Sequence, residues 1–268
     1  MRSQLHQLAD TSIFAIEAGR GPLVLCMHGI TANAYVFEPI MELLADGFRV
    51  ISIDQRGHGR SGRAQRYEAE DFAGDVAALV AELACGPAAL LGHSLGARNA
   101  LVAANLYPEQ VQSVVAVDFT PFIEERVLDD LGTRVKGGDR TFADLAEVEV
   151  YLSQRYPLLP PGAIRRRAQH GYRKVENGYR PLADAGAMVL TAAGLKASIE
   201  DALRTVKQPT ILVRGAHSKL VSRQAWARTR ELRRDLEAVE VAGADHYVPE
   251  EQPAAVAALV RRAVGELA

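Results

Sequence analysis

Short apolar runs alternate with longer stretches of helical period along most of this chain. Leu23-Val24-Leu25-Cys26-Met27 is apolar at every position, the pattern of a strand covered by helices on both faces of a parallel sheet. Runs at 49–54, 88–91, 113–118, 210–215 and 236–241 repeat it. Residues 35–45, 68–83, 97–106 and 222–232 fall between them. The second of these places Phe72, Val76, Leu79, Val80 and Leu83 on one helical face. Ser222 is an expected N-cap. Residues 12–18 alternate like an antiparallel strand, and 253–267 predict a closing helix that packs through Val256, Leu259, Val260 and Val264. The pattern is that of an α/β protein.

The alternation lapses between 121 and 190, where no clean sheet strand is expected. Gly137-Gly138-Asp139, Tyr156-Pro157, Pro160-Pro161-Gly162 and Asn177-Gly178 break this segment into short helical pieces. An inserted helical cap fits, which divides the chain into a core of 1–120 and 191–268 and a cap of 121–190. A cap over the sheet's active edge would exclude water and shape a substrate pocket.

Chemistry concentrates where apolar runs end. Gly92-His93-Ser94-Leu95-Gly96 joins a strand to a helix, and its glycines permit the sharp turn that pushes Ser94 outward. A serine hydroxyl needs a base to become a nucleophile. His246, in the loop Gly243-Ala244-Asp245-His246 after the last strand, is the expected partner, since a neutral imidazole can take and return a proton near pH 7. His93 faces back from the turn, and His28 shapes its own loop. Asp118 ends a strand and is the candidate to orient the histidine. The Leu95 amide at the helix start and the Ile30 amide after His28-Gly29 are expected to receive a developing oxyanion.

Gly57, Gly59 and Gly62 form a Gly-x-Gly-x-x-Gly, but no helix opens directly after them and no acid ends the next strand, so nucleotide binding is not expected. A hydrogen-bonded loop braced by Asp54 and Arg56 is.

Composition narrows the partners. The chain has 268 residues, 48% hydrophobic, with a net charge of -2, so no overall basic field recruits nucleic acid or an anionic membrane. The first residues lack the apolar core of a signal peptide, and no apolar run approaches the ~20 residues that span a bilayer. A cytoplasmic protein is expected, a monomer or homodimer acting on a small molecule. Cys26 and Cys85 lack metal-ligand spacing and read as buried free thiols. Between 151 and 180, seven basic residues face one acid, Glu176. Arg155 beside Tyr156, with Arg134 upstream, are candidates to grip a substrate carboxylate. Arg165-Arg166-Arg167 reads as a solvated helix face.

Gly92-His93-Ser94-Leu95-Gly96, His28-Gly29, Asp54-x-Arg56-Gly57-x-Gly59-x-Ser61 and Gly243-Ala244-Asp245-His246 together resemble the α/β-hydrolase superfamily over nearly the whole chain. The resemblance implies a mostly parallel eight-stranded sheet flanked by helices with an inserted cap, no metal or organic cofactor, and acyl transfer through Ser94. Many members carry the triad acid after the strand equivalent to 210–215, where Ser218 stands here. Others carry it where Asp118 stands, and Asp118 is taken as the acid, since Asp245 adjoins the base itself. The relocated acid, Ser218 in the vacated place and the Arg155-Tyr156 pair are similar to hydrolases of ring-cleavage products, which act on amide-like bonds of small dicarboxylates. Ser218 joins Arg155, Tyr156 and Arg134 as an expected substrate contact. Carbon-carbon hydrolases and slow-turnover small-molecule receptors share the scaffold and stand as alternatives.

Overall fold

The computed structural model describes residues 1–265. Its elements run β1 (Arg2–Gln7), β2 (Ser12–Ala18), β3 (Leu23–Met27), α1 (Glu38–Leu44), β4 (Arg49–Ile53), α2 (Ala69–Leu83), β5 (Ala88–His93), α3 (Leu95–Leu106) and β6 (Val111–Val117). Then come α4 (Glu125–Gly137), α5 (Leu145–Arg155), α6 (Pro161–Gly171), β7 (Tyr172–Val175), β8 (Gly178–Pro181) and α7 (Ala185–Gly194). The chain closes with α8 (Glu200–Thr205), β9 (Thr210–Gly215), α9 (Arg223–Leu232), β10 (Glu237–Val241), α10 (Val248–Glu251) and α11 (Pro253–Gly265). Residues 266 and 267 of the expected closing helix lie outside the described residues.

Eight strands form one sheet in the order β1-β2-β4-β3-β5-β6-β9-β10. The β1-β2 and β2-β4 pairs are antiparallel and the remaining pairs parallel. The continuous apolar runs are strands because both sheet faces are covered. Leu23, Leu25 and Met27 of β3 point into one core with Ala73 and Val76 of α2 and Leu101 of α3. Val24 and Cys26 point into the other, with Ile40 and Met41 of α1 and Val256 and Val260 of α11. β1 was not foreseen: only His6 of its six residues is buried, so no apolar run marks it.

Two expectations for the inserted segment need correction. β7 and β8 form an antiparallel hairpin, with Val175 opposite Gly178, where only helical pieces were expected. Exposed arginine and lysine on β7 hide its strand character. The expected boundary at 190 falls inside α7, a continuous helix capped by the Asp184 side chain on the Ala187 amide. The cap has its own core, in which Phe142, Val148, Leu152, Tyr156 and Ile164 pack together.

The glycine-rich loop after β4 is braced as expected. Asp54 accepts from the Ala34 amide at 2.6 Å and the Arg60 amide at 2.7 Å, and burial pushes its carboxyl up to about 6. Arg56 grips Asp75 through Nε and Nη2 at 2.6 and 2.7 Å. With Gly57 donating to the Gly62 carbonyl at 2.8 Å, these polar groups are spent within the loop and on the elements beside it.

Candidate active site

The turn from β5 to α3 holds Ser94 at φ 53°, ψ -112°, a conformation costly for a residue with a side chain and kept only where its surroundings impose it. Both flanking glycines are required by close backbone approach. A Cβ on Gly96 would overlap the Met27 carbonyl of β3, and one on Gly92 would overlap Gly96 itself. The Ser94 amide donates to the Val117 carbonyl at 2.9 Å, which ties the turn to the end of β6.

One residue past that strand end, Asp118 also has positive φ, at 48°, and is fully buried. Its Oδ1 accepts from the Gly215 amide at 2.8 Å. Its Oδ2 accepts from Ser218 Oγ and His246 Nδ1, each at 2.7 Å. A carboxylate only accepts, so the His246 proton sits on Nδ1 and the Nε2 lone pair is free. The His246 backbone is held separately, because His93 Nε2 donates to its carbonyl at 2.7 Å. Burial and the neighbouring His246 keep the His93 pKa well below 6.5, so this peg is neutral.

The loop after β3 lies against Ser94, for a Cβ on Gly29 would sit 3.3 Å from Ser94 Cβ. His28 fixes this loop. Its Nε2 accepts from the Gln55 amide at 3.1 Å, so its Nδ1 donates to the Gly29 carbonyl at 2.8 Å. Among the described residues, neither the Ile30 nor the Leu95 amide is spent on a backbone hydrogen bond outside regular elements. Leu95 opens α3, where amides have no partner within the helix.

Two chambers adjoin the strand ends. One contains Ser94, Leu95 and Asp118 and is walled by apolar side chains, among them Val127 and Leu131 of α4 and Leu195. The other lies under the cap and contains Arg134, Tyr151, Arg155, Tyr156 and Arg167. Leu95, Val135 and Met188 pack together between them, with Ile30 and Leu131 against that cluster. Arg155 donates through Nε to the Tyr156 hydroxyl at 3.0 Å and through Nη1 to the Tyr151 hydroxyl at 2.9 Å. Both tyrosine oxygens accept there, which leaves their protons for another acceptor. Burial raises the Tyr156 pKa, but Arg167, Arg155 and Arg134 together outweigh it and hold the phenol below its usual value. Among the described residues, no group of three or more His, Cys, Asp or Glu side chains is placed to hold a metal ion. No described helix is long and apolar enough to cross a membrane.

Residues 22–253 match the family described as the alpha/beta hydrolase fold. The chain belongs to that family. It is 53% identical over 238 residues, 88% of this chain and 86% of the relative, to a 2-(acetamidomethylene)succinate hydrolase of Mesorhizobium japonicum. It matches a crystal structure of E-2-(acetamidomethylene)succinate hydrolase with a TM-score of 0.96 at 48% identity, covering 98% of this chain and 99% of that one. An N-formylmaleamic acid deformylase of Pseudomonas putida S16 shares the fold, with a TM-score of 0.74 at 20% identity over 94% of this chain and 97% of that one.

The chain is a hydrolase, and its structure corrects two of the expected side-chain roles. Ser218, an expected substrate contact, lines neither chamber. It is buried, its hydroxyl donates to Asp118 and accepts from the Val221 amide at 3.1 Å, and it therefore backs the carboxylate. Arg167 is not on a solvated face. It is 8% exposed and pairs through Nε and Nη2 with Glu250 of α10, itself 4% exposed. Its position three residues after Ile164 and beside Ala168, on the apolar side of α6, is the signal that distinguishes it from exposed Arg165. No pattern marked the His93 peg or the Gly215 amide, since both act through contacts between distant loops.

Proposed function

We propose that this hydrolase cleaves the amide bond of a small dicarboxylate of the 2-(acylaminomethylene)succinate class through Ser94, His246 and Asp118. The observation that carries the reading is the 2.7 Å contact of His246 Nδ1 with a buried carboxylate that two further donors hold in place. It leaves His246 with Nε2 as its only basic position.

In this reading Ser94 Oγ attacks the acyl carbonyl as Nε2 takes its proton, and the new oxyanion receives the Ile30 and Leu95 amides. The tetrahedral adduct collapses with loss of the amide nitrogen, which takes the proton back from His246 and leaves as an enamine. Water, deprotonated by His246 Nε2, then attacks the acyl-Ser94 ester, and the acid departs as Ser94 recovers its proton from the same imidazole. Asp118 stabilises the transient imidazolium and fixes its orientation. Arg155, with Tyr156 and Arg134, holds a substrate carboxylate in the cap chamber. The substrate class is supported by these cations and by the name of the relative that is 53% identical. A cytoplasmic location, a monomer or homodimer, and no nucleic-acid or membrane partner complete the reading.

The test is acetate release from 2-(acetamidomethylene)succinate by the purified protein. Multiple turnovers are expected, and Ser94→Ala should lower kcat by about a million-fold. Hydrolysis of p-nitrophenyl acetate without acetate release from the dicarboxylate would keep the serine chemistry and overturn the substrate.

A further inference from the structure

The two amides that receive the oxyanion in the proposed mechanism come from separate elements, Ile30 from the loop after β3 and Leu95 from the first turn of α3. Their spacing and direction must be fixed by contacts between those elements. The Ile30 N–H shares a peptide plane with the Gly29 carbonyl, and in a trans peptide the two point in opposite directions. Whatever grips the Gly29 oxygen therefore aims the Ile30 N–H. Two donors do so, the Ala32 amide at 3.1 Å and His28 Nδ1 at 2.8 Å. The Gln55 amide occupies the other ring nitrogen at 3.1 Å, which leaves the imidazole proton on Nδ1.

The Gln55 side chain carries the connection on to α3. Its Nε2 donates to the His28 carbonyl at 2.6 Å, and its Oε1 accepts from Asn99 Nδ2 at 2.8 Å. Asn99 lies one turn after Leu95, and its side chain leans back over the turn that supplies the Leu95 amide. One run of donors, from Asn99 through Gln55 to His28, thus joins both sides of the oxyanion site. Fold stability alone is a poor reason for this run. Gln55 is 2% exposed and Asn99 fully buried, on a helix buried otherwise mainly through alanines, and Asn99 Oδ1 has no protein partner among the described residues. A buried acceptor left so costs stability that an apolar side chain of the same shape would not.

We propose that Gln55 and Asn99 are positioning residues of the oxyanion site, which hold the Ile30 and Leu95 amides in register through the His28 ring and carbonyl. The proposal rests on the oxyanion reading above and deepens it. It does not depend on which acyl substrate is cleaved.

The test is a double-mutant cycle of Gln55→Met and Asn99→Leu, which remove the amides and roughly keep side-chain size. Hydrolysis of p-nitrophenyl acetate and of 2-(acetamidomethylene)succinate is followed as kcat, KM and the pH profile of kcat/KM, with the thermal midpoint measured alongside. Gln55→Met should lower kcat about ten- to hundredfold with KM within a few-fold, part of what loss of a whole oxyanion donor costs. Asn99 acts only through Gln55, so adding Asn99→Leu to Gln55→Met should lower kcat by less than about twofold more. The double variant exchanges one unpartnered buried oxygen, Asn99 Oδ1, for another, the His28 carbonyl. Its midpoint should therefore stay within a few degrees of wild type, and it remains informative if Gln55→Met alone fails to fold. The pH profile should not move, because His246 and Asp118 are untouched. Unchanged kcat in the double variant, a loss carried by KM, or losses that add in the cycle would overturn the proposal. A kcat loss that matches the unfolded fraction, or a shifted pH profile, would overturn it too. The expected losses on the nitrophenyl ester, with no acetate released from the dicarboxylate by any of the proteins, would leave this inference standing and remove the proposed substrate.

Discussion

The two chambers are held together by different kinds of contact. Beside Ser94 the chain's own backbone does most of the positioning. The Val117 carbonyl accepts from the Ser94 amide, the Gly215 amide donates to Asp118, and the His246 carbonyl accepts from His93 Nε2. Under the cap, side chains position side chains: Arg155 on Tyr151 and Tyr156, and Arg167 on Glu250. Backbone contacts survive most substitutions, since every residue carries the same amide and carbonyl, whereas side-chain contacts change with each one. The strand-end chamber can therefore keep one chemistry while the cap chamber is altered for another ligand.

After loss of Ser94 itself, the largest expected effect breaks the backbone-held half at the carboxylate that orients its base. In Asp118→Asn the side chain can still accept from the Gly215 amide, but its NH2 group meets His246 Nδ1 and Ser218 Oγ, and the imidazole proton is driven to Nε2. The base position is then lost, and kcat should fall by about ten-thousandfold with KM within a few-fold. Steady-state kinetics on 2-(acetamidomethylene)succinate checks this, and a large KM change with kcat retained would remove Asp118 from the proton path. The cap half should fail in the opposite way. Arg155→Met removes the proposed carboxylate ligand, which lines the cap chamber rather than the one that holds Ser94, so KM should rise about ten- to hundredfold while kcat changes little. If kcat carries the loss instead, Arg155 acts on the reacting centre and the division between chambers is wrong.

The same division explains what the sequence made legible. Strand-end chemistry is local in sequence. The turn at Ser94 needs glycines within two residues, Asp118 ends an apolar run, and His246 follows the last strand, so each announces itself within a short window. The sheet was legible because burial on both faces leaves continuous apolar runs. Pairings across the cap leave no such mark. Arg167 and Glu250 are 83 residues apart, and an arginine run reads as solvated until the face of α6 is known. Ser218 was misjudged for a related reason. Its position after β9 was clear, but the direction of its hydroxyl depends on a carboxylate 100 residues earlier.

Ser218→Ala sharpens the comparison with a smaller effect. It removes one of two donors from Asp118 Oδ2 and leaves His246 and the Gly215 amide in place. The loss of one hydrogen bond to a charged group should lower kcat about tenfold and leave KM unchanged. A rise in KM would return Ser218 to contact with the substrate.

The smallest expected effect lies at the joint between cap and core. His170 of α6 stacks on Tyr35 with ring centres 3.7 Å apart and planes 6° from parallel, and the Arg60 guanidinium lies 5.3 Å from the same tyrosine ring. Arg60 Nη1 also donates to the His170 carbonyl at 3.4 Å. Partial burial, then Arg60 and Arg166, lower the imidazole pKa below 6.5. A base with a depressed folded pKa contributes stability that is present above pH 6.5 and lost as pH falls through the folded value. Acidification should therefore loosen α6 on the core, weakly, because solvent screens much of the charge on this half-exposed ring. Limited proteolysis at pH 7.5 and 5.5 should show faster cleavage within the cap at the lower pH, with the rise reduced in His170→Phe, which keeps a ring on Tyr35 without a titrating nitrogen. An equal rise in both proteins would move the acid response elsewhere in the cap, and the joint would then rest on stacking alone.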